Sequence, residues 1–507
     1  MYKAIRALLV FSVLISGLCA SSQVEVVKQK RFEHNGAVAT SVTPNNKVIT
    51  YSIISEKGED DQLEIVAYDE KLEEEGRFQA KCSERNIFKT HALSGTGEYY
   101  FSLMIDKGRE IHSVVFNTST LEGTELRVPL ERKFEPNGNL DFFGGSSTTC
   151  FKNKFFILGT VKNVPCILVY NMQTGTQHIT FIPGMDKNNR VSFLSTVEAA
   201  PSIQVMFFHS KPKKIDAQYI VSINEFGEIE GKPVSIMAQK EKLLIDGNVT
   251  WVDAHTSLIC GATGEKSSIA KGMYILEIKD GEVIRRNDYN FNDFKDFYSL
   301  LSVKTQNKIE KKKSKKKNFE SQCYMVTHPV AFSDKTWTVV GEVFYPTYRA
   351  ETQTSYVNGK TVTRTVMVFD GFQYTHAVVL QVNEELEKIN DFTFELEISE
   401  NPMFPKKYIR TAQMGSQLNF YYADVFNFGH VSLEEGELEV SPLVDIVDSD
   451  KDLKDSEKVT NLINSNVKYW YKDFYLITET FRAKDSEESF GNKRKIFVQF
   501  KKIKITQ

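Results

Sequence analysis

Along this chain a short polar step is followed, again and again, by a nearly unbroken apolar run. KNKFFILGT (152–160) is one instance, and close variants are NNKVITYSII (45–54), GEYYFSLMI (97–105), PSIQVMFFH (201–209), TSLICGAT (256–263), DKTWTVVGEV (334–343), SQLNFYYA (416–423) and KDFYLITET (472–480). Each run is too short for a buried helix and is rich in β-branched and aromatic residues, so each predicts a strand with both faces covered. A second apolar run follows after a turn, as in CILVYNMQTGT after FFILGT and GMYILEIKDGEV after LICGA. The second run ends in hairpin chemistry of the Asn/Asp-x-Gly kind and leads to a weaker strand. A further short strand precedes each marked run, such as NIFKTHALS before GTGEYY. The unit therefore has four strands.

The marked runs begin near 47, 98, 154, 203, 257, 336, 417 and 473, a spacing of about fifty residues that stretches where insertions occur. Four strands at that period resemble the blades of the β-propeller superfold, across nearly all of the chain after its N-terminus. The resemblance implies an all-β ring of eight four-stranded blades, with seven as the alternative. The last unit ends at KIFVQFKKIKI (495–505) without a fourth strand, while VEVVKQKRF (24–32) is a strand without a unit. Val24–Phe32 is therefore expected to complete the eighth blade and close the ring. No narrower family is indicated: Trp-Asp blade ends are missing, the only double glycine is Gly144-Gly145, and SDKTWT (333–338) lacks the glycine of a sialidase box.

Composition supports strands: 36 Phe and 21 Tyr contribute to an aromatic content of 12%. Residues 1–22 read as a secretory signal, with Lys3 and Arg6 before the apolar stretch Ala7 to Leu18 and small residues before Gln23. A lipid anchor on Cys19 is the rival reading, disfavoured by Leu18 at the preceding position. No later segment is apolar for long enough to span a bilayer as a helix. The expectation is an exported protein, periplasmic, secreted or at the cell surface, with residues 23–507 forming one domain. Without its signal the chain keeps 61 basic against 66 acidic residues, a formal charge of −5, which disfavours nucleic acid as a partner. Cys82, Cys150, Cys166, Cys260 and Cys323 are scattered through apolar runs with no CxxC spacing, which predicts buried, mostly reduced thiols and no zinc site.

Motifs for chemistry are weak. GATGEKSS (261–268) lacks the Gly-Lys pair of a phosphate loop, and DSDKDLKDSE (448–457) carries Leu453 where a calcium loop needs Gly. There is no GxSxG and no HExxH, and no cofactor or metal is expected. The best polar set is His91, Asp253, His255 and His328, all expected on first strands that line the central channel. Asp253 and His255, two apart in WVDAH, would share one side of a strand. NKIEKKKSKKKN (307–318) holds seven lysines in twelve residues and predicts a solvated loop, with an anionic contact through Lys312 and Lys315 as the alternative. TQTSYVNGKTVTRTV (352–366) predicts a projecting β-hairpin, polar on both faces, turning at Asn358-Gly359.

The long insertions, 289–320, 346–373, 442–465 and 482–493, all join second to third strands or one blade to the next. In a propeller those connections leave from one face. Helical stripes are suggested by Phe291, Phe294, Tyr298 and Leu301, and by Val459, Leu462 and Ile463. The leading functional expectation is a non-enzymatic binding or scaffold protein that recognises a protein or a surface glycan through this face. Tyr356, Asn358, Lys360, Arg364, Lys312 and Lys315 are its contact candidates. The alternative is an enzyme acting on a polysaccharide or other polymer at the channel mouth, and a third possibility is a component of a larger surface assembly.

Overall fold

A computed structural model describes residues 23–506 apart from 34–37, 55–60, 83–85, 138–146, 186–189, 195–199, 212–213, 237–242, 265–268, 302, 315–322, 330, 334, 358–359, 425–426, 446–456 and 486–493. Residues 1–22 with Cys19, residues 265–268 and 448–456 of the two rejected loops, Asn358 and Lys315 lie outside the described residues.

Among the described residues the repeated runs form middle strands of eight antiparallel sheets; seven run in chain order, and the eighth takes its outermost strand from the N-terminus. Blade one is Val38–Val42, Val48–Ile54, Gln62–Tyr68 and Glu74–Lys81, and blade two begins at Asn86–Leu93. Middle strands are buried on both faces: all nine residues of Thr256–Gly264 in blade five are buried. Outer strands are exposed, as in Gly123–Pro129 of blade two. Tight hairpins join them through residues with positive φ, such as Lys152-Asn153 (φ 46° and 61°) and Lys162-Asn163 (φ 50° and 64°). That is the turn geometry that matches strand twist, and at Lys152-Asn153 it explains the polar step before FFILGT.

Among the described residues eight hydrophobic clusters fill the spaces between blades, and seven of them draw on two blades that follow one another in the chain. The eighth cluster joins the last blade to the first: Trp470, Leu476, Val498 and Phe500 pack on Val48, Val66, Tyr68 and Leu72. Trp470 Nε1 also donates to the Asn46 carbonyl across this seam at 2.8 Å. Burial of a large apolar side chain is worth about 1.5–3 kcal/mol, so every blade depends on its two neighbours.

The seam blade is built as expected from the chain ends. Its strands are Glu457–Tyr471, Phe474–Asp485, Arg494–Thr506 and, outermost, the N-terminal Gln23–Glu33. The closing strand pairs antiparallel from Gln23 opposite Thr506 to Glu33 opposite Phe497, with one register shift.

Two insertions form long ribbons. In blade six, Thr336–Val357 pairs with Lys360–Val382 along its whole length. Its first-strand partner stops at Phe344 and its fourth-strand partner at His376, so beyond Tyr345 both edges of the ribbon lack a neighbouring strand among the described residues. At a rise of about 3.3 Å per residue, Pro346–Val357 reaches about 40 Å. In blade eight, residues 457–465 pair with 480–485 and prolong the innermost strand beyond the channel wall.

Three local expectations are corrected. Val459, Leu462 and Ile463 belong to that strand and not to a helix: Val459 pairs with Ala483 and Leu462 with Phe481, and Ile463 falls at the register shift before Asn464. Phe291, Phe294, Tyr298 and Leu301 do not form a helical stripe; a 3-10 turn, Phe291–Asp293, is followed by turns, and Phe291 stacks on Phe297 at 4.2 Å over the core between blades five and six. The α-helix comes later, at Val303–Ser314, so the first part of the lysine run, including Lys312, is helical and not a loop. Buried Ile309 anchors this helix, and Gln306 Nε2 caps the Ser299 and Leu301 carbonyls at 2.7 and 2.6 Å.

Among the described residues none of the cysteines from Cys82 onward is in a disulfide, and all but the half-buried Cys150 are buried. Thiol titration of the unfolded, unreduced chain is expected to count five free thiols in residues 23–507; a count of one would show two disulfides. Deleting Gln23–Glu33 removes the outer edge of the seam blade. We expect the melting temperature to fall by more than about 5 °C, with aggregation on heating. A truncated chain that melts like the intact one would contradict closure by this strand.

Candidate functional site

The inner strands surround the channel, and several are interrupted. In blade five the break falls between Leu243–Leu244 and Asn248–Trp251, and in blade six between Tyr324–Thr327 and Ala331–Ser333. The blade-five break passes so close to the next strand that a side chain at Gly261 would strike the Asp246 carbonyl at 2.2 Å. The interruptions turn polar side chains into the wall. Asp246 Oδ1 accepts from Ala262 N at 2.5 Å, and Oδ2 accepts from Thr327 N and Oγ1 at 3.1 and 2.8 Å. Asn248 Nδ2 donates to Thr327 Oγ1 at 2.7 Å, and Lys407 Nζ donates to Asn248 Oδ1 at 2.8 Å.

Glu342 forms the second knot. It is fully buried; Oε1 accepts from Ile409 N at 2.9 Å and meets His328 Nε2 at 2.6 Å, while Oε2 accepts from Tyr408 N at 3.0 Å. These bonds pin the segment from blade six to blade seven against the wall. Burial raises the Asp246 carboxyl and lowers Lys407, in spite of the opposite charges of Asp246 and Glu342 close to Lys407. Such a network, with its backbone donors satisfied, fixes the wall more than it invites chemistry.

On the other side of the channel a cavity of about 560 Å³ opens between blades eight, one and two. Lys468, His91 and Lys89 contribute to its lining. The His91 ring packs beside Tyr51 and Tyr100, with centroids 5.1 and 5.7 Å away. Burial, then the charge of Lys468, hold its pKa down to about 4. Lys468 Nζ donates to the Thr40 carbonyl, and burial with the charge of Arg410 lowers its pKa to about 8.

The four channel candidates thus fall in three places. His328 and His91 are on the wall, in blades six and two, and His328 is committed to Glu342. Asp253 and His255 are not on a first strand: they occupy the turn between Asn248–Trp251 and Thr256–Gly264, at the end opposite the insertions. There Asp253 Oδ1 accepts from His255 N and Thr256 N at 2.7 and 2.8 Å, which lowers its pKa, and exposed His255 lies 3.0 Å from Asp280. A turn-closing carboxylate explains WVDAH without chemistry. Asp246, Glu342, Lys407 and Lys468 were missed; the available signal was a lone charged residue inside an apolar strand, as in TVVGEVF and NVKYWY.

The insertion-bearing face carries the other candidates. Tyr356 and Lys360 are in the paired tip of the blade-six ribbon, and Arg364 is exposed opposite Gln353. The ribbon is not polar on both faces throughout. Near its base Tyr348 pairs with Phe369 and Ala350 with Met367, which places these four on one face; Tyr348 is 57% and Met367 64% exposed. The connection to blade seven runs alongside, with Phe372 N donating to Pro402 O at 2.9 Å, and it exposes Met403 and Phe404.

No family model and no curated protein matches this chain. Among solved structures, the dihydro-heme d1 dehydrogenase NirN in complex with DHE has a TM-score of 0.44 at 8% identity, over 94% of this chain and 79% of that one. The β-propeller domain of the Trilobed protease from Pyrococcus furiosus has 0.34 at 11%, over 81% and 99%. The BP39L lectin from Burkholderia pseudomallei has 0.38 at 8%, over 82% and 100%. The propeller assignment stands on the strand order of the chain itself.

Burial holds His91, His376 and His430 near pKa 4 in the folded chain, against about 6.5 when unfolded. Their folded pKa values are depressed, so the unfolded chain takes up protons first. Stability is fully present above pH 6.5 and is lost as pH falls toward 4. Denaturant melts at pH 7, 5.5 and 4.5 should show this loss, and His430→Gln should flatten it.

Proposed function

We propose that this chain is a non-enzymatic binding protein that recognises a protein partner through the insertion-bearing face. The observation that carries the reading is the blade-six ribbon. It projects past its sheet, keeps both edges without a strand neighbour among the described residues, and shows Tyr348 and Met367 to solvent near its base. A strand edge offers backbone donors and acceptors to an added strand, and an adjacent aromatic and methionine supply apolar contact. The helix Val303–Ser314 belongs to another connection on the same face, and its lysines would add a salt-dependent share to the contact.

The wall carboxylates favour binding over polymer cleavage. Asp246 and Glu342 each accept hydrogen bonds from backbone groups that a reacting carboxylate would have to give up. With an export signal at residues 1–22, the partner would be met outside the cytoplasm.

Replacing residues 350–367 with a short Gly-Ser linker leaves Tyr348 opposite Phe369 and both blade-six strands joined. We expect the melting temperature to stay within about 2 °C and cross-linked recovery of partners from a native extract to fall. Unchanged recovery would overturn the reading. Binding that survives on a glycan array while protein recovery is nil would favour the glycan in place of the protein.

A further inference from the structure

We propose that the cavity between blades eight, one and two is a binding site for a small hydroxylated molecule that carries an oxyanion, phosphate or carboxylate. The site lies apart from the ribbon and stands on separate observations. Lys468 and Lys89 line it together with His91, the Asn466 amide and the hydroxyl-bearing Thr478 and Thr480, and no carboxylate is among its lining residues. Its volume of about 560 Å³ is in the range of sites for small organic molecules and is larger than a bare phosphate needs. The remaining space suits a polar body that meets hydroxyls and an amide.

Charge is the decisive feature. Among the described residues no carboxylate stands within ion-pair distance of Lys468 or Lys89, and the one hydrogen bond recorded for Lys468 goes to the Thr40 carbonyl. Arg410, on the first strand of blade seven, adds a further positive charge that acts on Lys468, and the Glu342 carboxylate offsets it only in part. A smaller cavity elsewhere on blade one shows the contrast. Lys30 and Arg77 line it, but Glu64 and Glu74 do so as well, and Arg77 is paired with both. Cations there are neutralised by the protein, whereas those of the larger cavity are left for something else to neutralise.

Lys468 is already withdrawn from water, as its lowered pKa of about 8 reflects. An anion entering the cavity pairs with a cation whose desolvation occurred on folding, so less is lost on binding than at an exposed lysine. The wall is rigid as well: Thr40 Oγ1 and Thr478 Oγ1 meet at 3.1 Å across the seam.

Calorimetry on the intact chain with glucose 6-phosphate, glucuronate and neutral glucose tests the proposal. Saturable binding of the phosphate or the carboxylate sugar, and not of glucose, is expected, and the stronger of the two identifies the oxyanion. Lys468→Met should weaken that binding at least about tenfold while raising the melting temperature of the unliganded chain, because a buried charge without a counter-charge is removed. Lys89→Met, at an exposed position that leaves folding intact, should weaken it by a smaller factor, and exposed Lys472→Met should not change it. No saturable binding of either anion below about 10 mM, glucose binding as tightly as the anions, or unchanged affinity in both Lys468→Met and Lys89→Met would overturn it.

Discussion

Each sheet of this protein is apolar on both faces, and that constraint governs the rest. A sheet with one wet face can sit at a boundary, but Thr256–Gly264, buried at every position, requires a neighbour on either side. Stacking such sheets in a row leaves two bare faces at the ends. Bringing the last against the first removes both, and the cluster around Trp470, Val48 and Phe500 is the contact that does so.

Closing the ring leaves the inner strands to meet each other around a channel. There the regular ladder is broken, and the breaks carry the polar chemistry. Asp246 and the adjacent Asn248 reach Thr327 and Lys407, so the wall of three blades is tied together by side chains and not by strand pairing. On the other side the same wall presents lysines without carboxylates. The channel is therefore asymmetric in charge: one side is neutralised within the protein, and the other is positive.

The fold was legible because the apolar runs and their turns are local signals. FFILGT and CILVYN are strands for reasons contained in a few residues, and the stray VEVVKQKRF could be matched to a missing fourth strand by counting. The ribbon at Asn358-Gly359 was equally plain, since paired Thr- and Val-rich segments flank the turn. The wall was not legible. Its polar groups come from breaks in inner strands, and whether Asp246 or Asp253 faces the channel depends on where a strand stops, which no local pattern states. WVDAH looked like an alternating strand and is a turn closed by its own carboxylate. The helical stripes failed for a similar reason: Phe291, Phe294, Tyr298 and Leu301 are spaced for a helix, but Phe291, Phe294 and Tyr298 satisfy a tertiary core from a tight turn and the bends after it.

The register of the seam has a mechanical side. Gln23 lies opposite Thr506, so the two ends of the described chain leave the ring at the same point and from adjacent strands. Tension applied to those ends pulls across the ladder and not along it. The backbone bonds of the closing strand then carry the force one pair at a time, as in a zipper, instead of sharing it as they would in shear. A ring held by eight interlocked interfaces can accordingly be opened by a weak pull at this one place, with the strand peeling back toward Glu33 before any other blade is strained.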